Sequence, residues 1–176
     1  MNRLVWSALR IWVRCRRGRR PPSMLSDPTW YFAYGSNMNE RLFRERRHMI
    51  WHEARIGRLD GHRLVFTVAG GMRPGVSAPA NIAAAGGESV WGVLYRLPLR
   101  KFARLDASEG RQYGYLWTDV EDANGTRVPA VSYKVPHAAR DGRPGKGYLN
   151  LIRDAARQRG LPPAYIAFLD HVEARE

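Results

Sequence analysis

The chain has 176 residues, 44% of them hydrophobic and 11% aromatic, which excludes a wholly disordered protein. No apolar run reaches the roughly 18–20 residues of a membrane-spanning helix, so we expect no stable membrane insertion. The single cysteine, Cys15, excludes an internal disulfide and a cysteine-based zinc finger, and it fits a reducing, cytoplasmic setting.

The formal net charge of +13 raises nucleic acid or an anionic membrane surface as a partner. However, 26 of the 29 basic residues are arginines, a bias that also follows from a GC-rich genome. Seven arginines against Asp27 give residues 1–28 a net charge of +6, which leaves +7 for residues 29–176. The charge alone therefore does not indicate a nucleic-acid partner.

The uneven charge divides the chain into two segments. Residues 1–28 are predicted to be a basic, disordered extension, either a transit-like or membrane-surface peptide or a product of an upstream start codon, with Met24 as the true start. Residues 29–176 are predicted to form a single globular domain.

The elements of this domain are predicted in chain order from periodicity and turn residues. An aromatic strand, WYFAYG, ends at Gly35, and Asn37 or Asn39 caps a helix that continues to about Arg47. Four strands follow, at 49–57, 62–70, 80–85 and 89–97, with a Gly/Pro-rich loop over 70–79. Pro98 opens a short helix. Asn124-Gly125 joins strands 114–121 and 126–135 into a hairpin. Two helices, 147–160 and 163–176, end the chain.

The order of these elements, mostly strands with interspersed helices and a helical C-terminal end, predicts an α+β fold with a curved, barrel-like sheet. The motifs of dinucleotide-binding, P-loop, nucleophile-elbow and zincin enzymes are missing. His48 and His52 are four residues apart, but no third ligand has a recognisable spacing, so we expect ordinary surface histidines and no metal.

Two short segments carry possible chemistry. The strand end Tyr31–Asn37 presents successive backbone N–H groups that suit a carboxylate, a phosphate or an oxyanion. Glu109 ends a predicted helix beside Tyr113, Tyr115 and Trp117, where partial removal from water suits a general base. On spacing alone, a solvated glutamate at a helix terminus is the favoured interpretation of Glu109.

The two segments together resemble those of the γ-glutamylcyclotransferases. YFAYGSNM is followed about 70 residues later by a LDxxEGxxxGY pattern, Leu105–Tyr115. Further matches follow in the family's order: Ser89–Tyr95, Val131–Lys134, Gly147-Tyr148 and Gly160–Tyr165. The resemblance covers roughly residues 30–175 and says nothing about residues 1–28. Asn37 stands where a glutathione-specific branch has leucine, which favours the branch acting on γ-glutamyl amino acids or bacterial relatives with unassigned γ-glutamyl substrates.

The resemblance implies a cytoplasmic enzyme of glutathione metabolism, needing no cofactor or metal, that releases 5-oxoproline from a small γ-glutamyl substrate as a monomer or homodimer. Glu109 matches the family's catalytic glutamate. Tyr31, Phe32, Ala33, Tyr34, Gly35, Ser36 and Asn37 match its substrate-binding stretch, and Tyr148 matches its later substrate-binding tyrosine. Tyr115 is assigned either to the pocket wall or to the core. The alternatives are a different γ-glutamyl-amine metabolite as substrate, or a basic binding module with a degenerate site.

Overall fold

The computed structural model describes residues 26–69, 76–110, 112–135 and 138–175. The basic extension predicted over residues 1–28 therefore lies outside the described residues, apart from its last three positions. Most of the predicted Gly/Pro loop, residues 70–75, lies outside them too. No helix in the part of the chain that the structure describes is long and apolar enough to cross a membrane.

Five strands close on themselves to form the barrel of the domain. They are β1 (Thr29–Ala33), β2 (Glu53–Ala69), β3 (Ala80–Leu97), β4 (Gly114–Asp122) and β5 (Arg127–Lys134). Around the barrel the order is β1, β5, β4, β2, β3 and back to β1, and only the β1–β5 pair is parallel. This mixed, barrel-like sheet confirms the predicted fold class.

The prediction of four separate strands between residues 49 and 97 is wrong. The chain instead forms two long antiparallel strands, β2 and β3, which pair over nearly their whole length. Their register shifts between Asp60 and His62, where Gly61 has a φ of +70°. A bulge at a left-handed glycine bends a strand without ending it. The break in the alternating sequence pattern near Gly61 therefore marks a bend within one strand and not a boundary between two strands. Residues 49–52 precede β2 instead of belonging to it.

The segment after β1 also differs from the single helix predicted there. Residues Ser36–Met38 form one 3₁₀ turn, and Leu42–Arg46 form a short π-helix. Of the two candidate capping residues, Asn39 takes the role, because its side-chain oxygen accepts a 3.0 Å hydrogen bond from the Leu42 N–H. Asn37 does not cap this helix and is instead buried in the domain.

The predicted helices and the hairpin are present. They are α1 (Leu99–Ser108), which begins directly after Pro98, α2 (Lys146–Arg159) and α3 (Pro163–His171). Gly160 ends α2 with a φ of +69°, as expected for a glycine C-terminal cap. Gly125, with a φ of +77°, provides the turn between β4 and β5.

One strand, β6 (Ala138–Asp141), was not predicted, and it pairs with the end of β2. It is four residues long and lies outside the closed ring, so it carries too little pattern to be predicted from sequence alone.

Candidate active site

A cavity of about 240 Å³ lies at one end of the barrel, where the loop after β1 meets the C-terminal end of α1. Its wall also receives groups from β3, β5 and α2. The lining residues are Tyr31, Tyr34, Gly35, Ser36, Asn37, Arg47, Pro79, Ala80, Ser108, Glu109, Gly110, Tyr113, Tyr133 and Tyr148. The cavity therefore joins the two segments that the sequence singled out.

Glu109 is the only acidic side chain among these lining residues. It follows the last residue of α1 in an extended conformation, so its side chain leaves the helix axis. Only 10% of the side chain is exposed. One carboxylate oxygen, Oε1, accepts a 2.9 Å hydrogen bond from Arg47 Nη1 and a 3.3 Å bond from Asn37 Nδ2. A largely buried carboxylate is thus held by a cation and an amide.

Asn37 is the polar centre of the cavity floor. Its Nδ2 donates to the Tyr31 hydroxyl at 2.8 Å as well as to Glu109, which determines the orientation of the carboxamide. Its Oδ1 is buried and accepts no hydrogen bond from any group that the structure describes. A buried, unpaired carbonyl oxygen is costly to leave without a donor. Asn37 therefore brings a buried, unpaired acceptor to the lining of the cavity.

Tyrosines form most of the remaining wall, and burial keeps them protonated. It raises the pKa of Tyr31, Tyr34 and Tyr133 well above their ordinary value of 10. Burial also raises the pKa of Tyr148, against the opposing effect of hydrogen bonds from the Ala80 N–H and from Ser36. These hydroxyls are neutral groups at physiological pH, suited to binding and positioning.

Asp106 lies behind this wall, one turn before Glu109, and is fully buried. Its Oδ1 accepts hydrogen bonds from the hydroxyls of Tyr115 at 2.9 Å and of Tyr133 at 3.2 Å. The Tyr133 ring is thereby tied to α1, the same helix that ends at Glu109. The carboxylate is thus a support for the cavity wall and does not line it.

The ten residues predicted for the site divide into two groups. Glu109, Tyr31, Tyr34, Gly35, Ser36, Asn37 and Tyr148 all line the cavity. Phe32 and Ala33 are buried in the core, and Tyr115 packs against Trp117 and Tyr133, so these three do not line it. For Tyr115, the structure places the ring in the packing role that the sequence left open.

Arg47 is the charged cavity residue that sequence reasoning missed. It lies just after the π-helix, in a run of arginines that gives no sign of which one turns inward. Its pairing with Glu109 crosses 62 positions of the chain, which no local spacing can show. Among the described residues, no group of three or more His, Cys, Asp or Glu side chains is placed to hold a metal ion.

Comparisons with known proteins found similar sequences and similar folds. The model of the AIG2-like family matches residues 89–169. The human γ-glutamylcyclotransferase is 29% identical over 154 residues, which cover 83% of this chain and 79% of that protein. A solved γ-glutamyl cyclotransferase structure superposes with a TM-score of 0.74 at 25% identity, covering 84% of this chain and 89% of that one. In sequence and in fold, this chain is similar to the γ-glutamylcyclotransferases.

This similarity confirms the resemblance found in the sequence. A γ-glutamyl cyclotransferase of Aspergillus oryzae is 26% identical over 164 residues, or 81% of this chain. The match spans only 60% of the fungal protein, so the two proteins differ in length outside the shared domain.

Proposed function

We propose that residues 29–176 form a γ-glutamylcyclotransferase, which converts a γ-glutamyl amide to 5-oxoproline and a free amine. The α-amino nitrogen of the γ-glutamyl group attacks its own γ-carbonyl carbon and forms a C–N bond. The C–N bond to the leaving amine then breaks. One proton leaves the attacking nitrogen and one is delivered to the departing nitrogen, so the reaction needs no redox partner. The observation that carries the proposal is a largely buried Glu109 carboxylate facing the Tyr34–Asn37 loop in one cavity.

Glu109 is assigned to both proton transfers. Its carboxylate accepts the proton of the attacking amine and returns it to the leaving amine. General acid–base catalysis of this kind increases the rate by about 10²–10⁴. The position supports this role because the side chain is at the cavity wall, with only 10% exposed to solvent. Glu109 is also the sole carboxylate of the lining.

Asn37 is assigned to holding the attacking amine. The amine is a hydrogen-bond donor, and Asn37 Oδ1 is a buried acceptor without a partner among the described groups. Since Asn37 Nδ2 bonds Glu109, the amine bound at Oδ1 would lie beside the base that deprotonates it. Orientation of this kind supplies a large part of the rate of a cyclisation, because a flexible chain must fold onto itself.

The loop Tyr34–Asn37 and Tyr148 are assigned to the anionic groups of the reaction. Backbone N–H groups of the loop border the cavity and suit the oxyanion of the tetrahedral intermediate or the α-carboxylate of the substrate. The Tyr148 hydroxyl accepts a 3.0 Å hydrogen bond from the Ala80 N–H of β3 and also has a hydrogen-bond partner in Ser36 of the loop. Tyr31 and Tyr34 line the same wall and help keep the reacting atoms away from bulk water.

The proposal is tested by incubating the purified protein with γ-glutamyl-alanine and assaying 5-oxoproline and free alanine in equal amounts. The isomer α-glutamyl-alanine is the matched control. Its α-amino group and its amide carbonyl are attached to the same carbon, so attack of this amine on that carbonyl cannot form a five-membered lactam. Production of 5-oxoproline from the γ-linked substrate alone supports the proposal. Release of glutamate instead of 5-oxoproline would mean hydrolysis, and absence of both products across a panel of γ-glutamyl amides would overturn it.

A further inference from the structure

Arg47 holds an unusual position at the edge of the candidate active site. Both hydrogen bonds that its side chain makes to described residues leave from the same nitrogen, Nη1: one to Glu109 Oε1 at 2.9 Å and one to Ser108 Oγ at 3.0 Å. An arginine carries five N–H donors in a planar fork. Its Nε and Nη2 donate to no group in the described part of the chain, so one edge of the guanidinium keeps its donors for a ligand.

The surroundings of Arg47 place it at the solvent side of the cavity. Glu109, on one side, is 10% exposed, whereas Ser108, on the other, is an exposed residue. The Arg47 side chain is itself 27% exposed, while Tyr31 and Tyr34 are almost fully buried. Arg47 therefore lies at the solvent side of the cavity, and Tyr31 and Tyr34 lie at its buried side.

We propose that Arg47 determines specificity by binding a carboxylate on the leaving amine, so that its loss weakens the turnover of γ-glutamyl amino acids more than that of neutral γ-glutamyl amines. This inference rests on the proposed function. An arginine fork recognises a carboxylate through two parallel hydrogen bonds, which a neutral alkyl group cannot form.

The leaving amine is the part of the substrate that this geometry assigns to Arg47. The γ-glutamyl part is common to all substrates and needs the buried acceptor of Asn37 together with the base, Glu109. The leaving amine must depart to solvent, so it extends toward the open edge, where Arg47 lies. Arg47 also pairs with Glu109, so a second role, in holding the base, has to be separated from recognition by experiment.

The test compares two substrates that differ only in the carboxylate: γ-glutamyl-alanine and γ-glutamyl-ethylamide. kcat/KM is measured on both for the wild type, Arg47→Gln, Arg47→Lys and Arg46→Gln. Arg46→Gln is the matched control, since it removes the same charge from the adjacent residue, which is exposed and does not line the cavity. We expect Arg47→Gln to lower kcat/KM for γ-glutamyl-alanine about 10- to 100-fold more than for the ethylamide. Arg46→Gln should change the ratio of the two less than about twofold.

Equal losses on both substrates in Arg47→Gln would overturn the inference, because they would mean that Arg47 positions Glu109 or binds the common γ-glutamyl part. If Arg47→Gln does not fold, Arg47→Lys carries the test, and an unchanged substrate ratio in that variant overturns the inference. A wild type that forms 5-oxoproline from neither would instead reject the proposed function itself, and the inference with it.

Discussion

Asn37 and Glu109 are 72 positions apart in the chain, yet Asn37 Nδ2 donates a 3.3 Å hydrogen bond to Glu109 Oε1. The same Nδ2 bonds the Tyr31 hydroxyl, so one carboxamide joins the end of β1 to the end of α1. The unpaired Oδ1 of the same group lies next to this junction. The pair places an unpaired amide oxygen close to a largely buried carboxylate.

We expect Glu109→Gln to lower kcat by about 10²–10⁴, because glutamine keeps the size of the side chain but cannot accept the proton. KM should change little, since the polar contact to Asn37 can be retained. Steady-state release of 5-oxoproline measures both values. Glu45→Gln, at an exposed glutamate of the π-helix, is the control and should behave as the wild type. Near-wild-type kcat in Glu109→Gln would remove Glu109 from the chemistry.

We expect Asn37→Leu to lower kcat/KM by about 10- to 100-fold. Leucine fills a similar volume but removes the donor to Glu109 and Tyr31 and the free acceptor at Oδ1. The measurement is again 5-oxoproline release, with thermal unfolding to show that the variant is folded. Asn150→Leu, at an exposed position of α2, is the control for the same change of residue type. Unaltered kcat/KM in a folded Asn37→Leu protein would contradict the role assigned to Asn37.

We expect Gly92→Ala to destabilise the domain by about 1–3 kcal/mol. A Cβ at Gly92 would overlap the backbone oxygen of Ala33 and the ring of Phe32, so β1 would have to move away from β3. Because the Tyr34–Asn37 loop follows β1, activity should fall as well. The free energy of unfolding in urea provides the measurement.

Gly86→Ala is the matched control for Gly92→Ala, since a Cβ there meets no atom within 4 Å and the backbone is not left-handed. Its unfolding free energy should equal or slightly exceed that of the wild type. Equal effects of the two substitutions would show that the close approach of β1 and β3 at Gly92 does not limit packing.

We expect stability to fall in alkaline solution because of the buried tyrosines. Burial raises the pKa of Tyr31, Tyr34 and Tyr133 well above 10, and that of Tyr95 to about 12, where the neighbouring Arg159 opposes the effect of burial. A raised native pKa means that the folded state binds the proton more tightly than the unfolded state does. Its stabilising effect is therefore complete below pH 10, the unfolded value, and is lost as the pH rises through the native pKa values.

This pH effect is measured from urea unfolding at about pH 8 and about pH 11, on either side of the ordinary tyrosine pKa. The absorbance of tyrosinate, followed in parallel, should rise together with unfolding for the buried rings instead of titrating near pH 10. Full tyrosinate absorbance in a still folded protein at about pH 11 would contradict the burial of these hydroxyls.

Local signals were sufficient where an element depends on its own residues. Pro98 begins α1, Gly160 ends α2, and Asn124-Gly125 turns the hairpin, because each acts through backbone conformations that neighbours hardly influence. Glu109 and the Tyr34–Asn37 loop were also found in advance, although their combination came from the resemblance of ordered motifs and not from either one alone.

Only the tertiary structure decided how these parts meet. The closure of five strands, the continuity of β2 and β3 through the bulge near Gly61, and the pairing of Arg47 with Glu109 all join residues far apart in sequence. Such contacts depend on packing and on which of several similar arginines faces the interior, so no periodicity encodes them. The net charge of +13 follows from composition alone. Which arginine lies beside the buried Glu109 carboxylate depends on the fold, and it is Arg47.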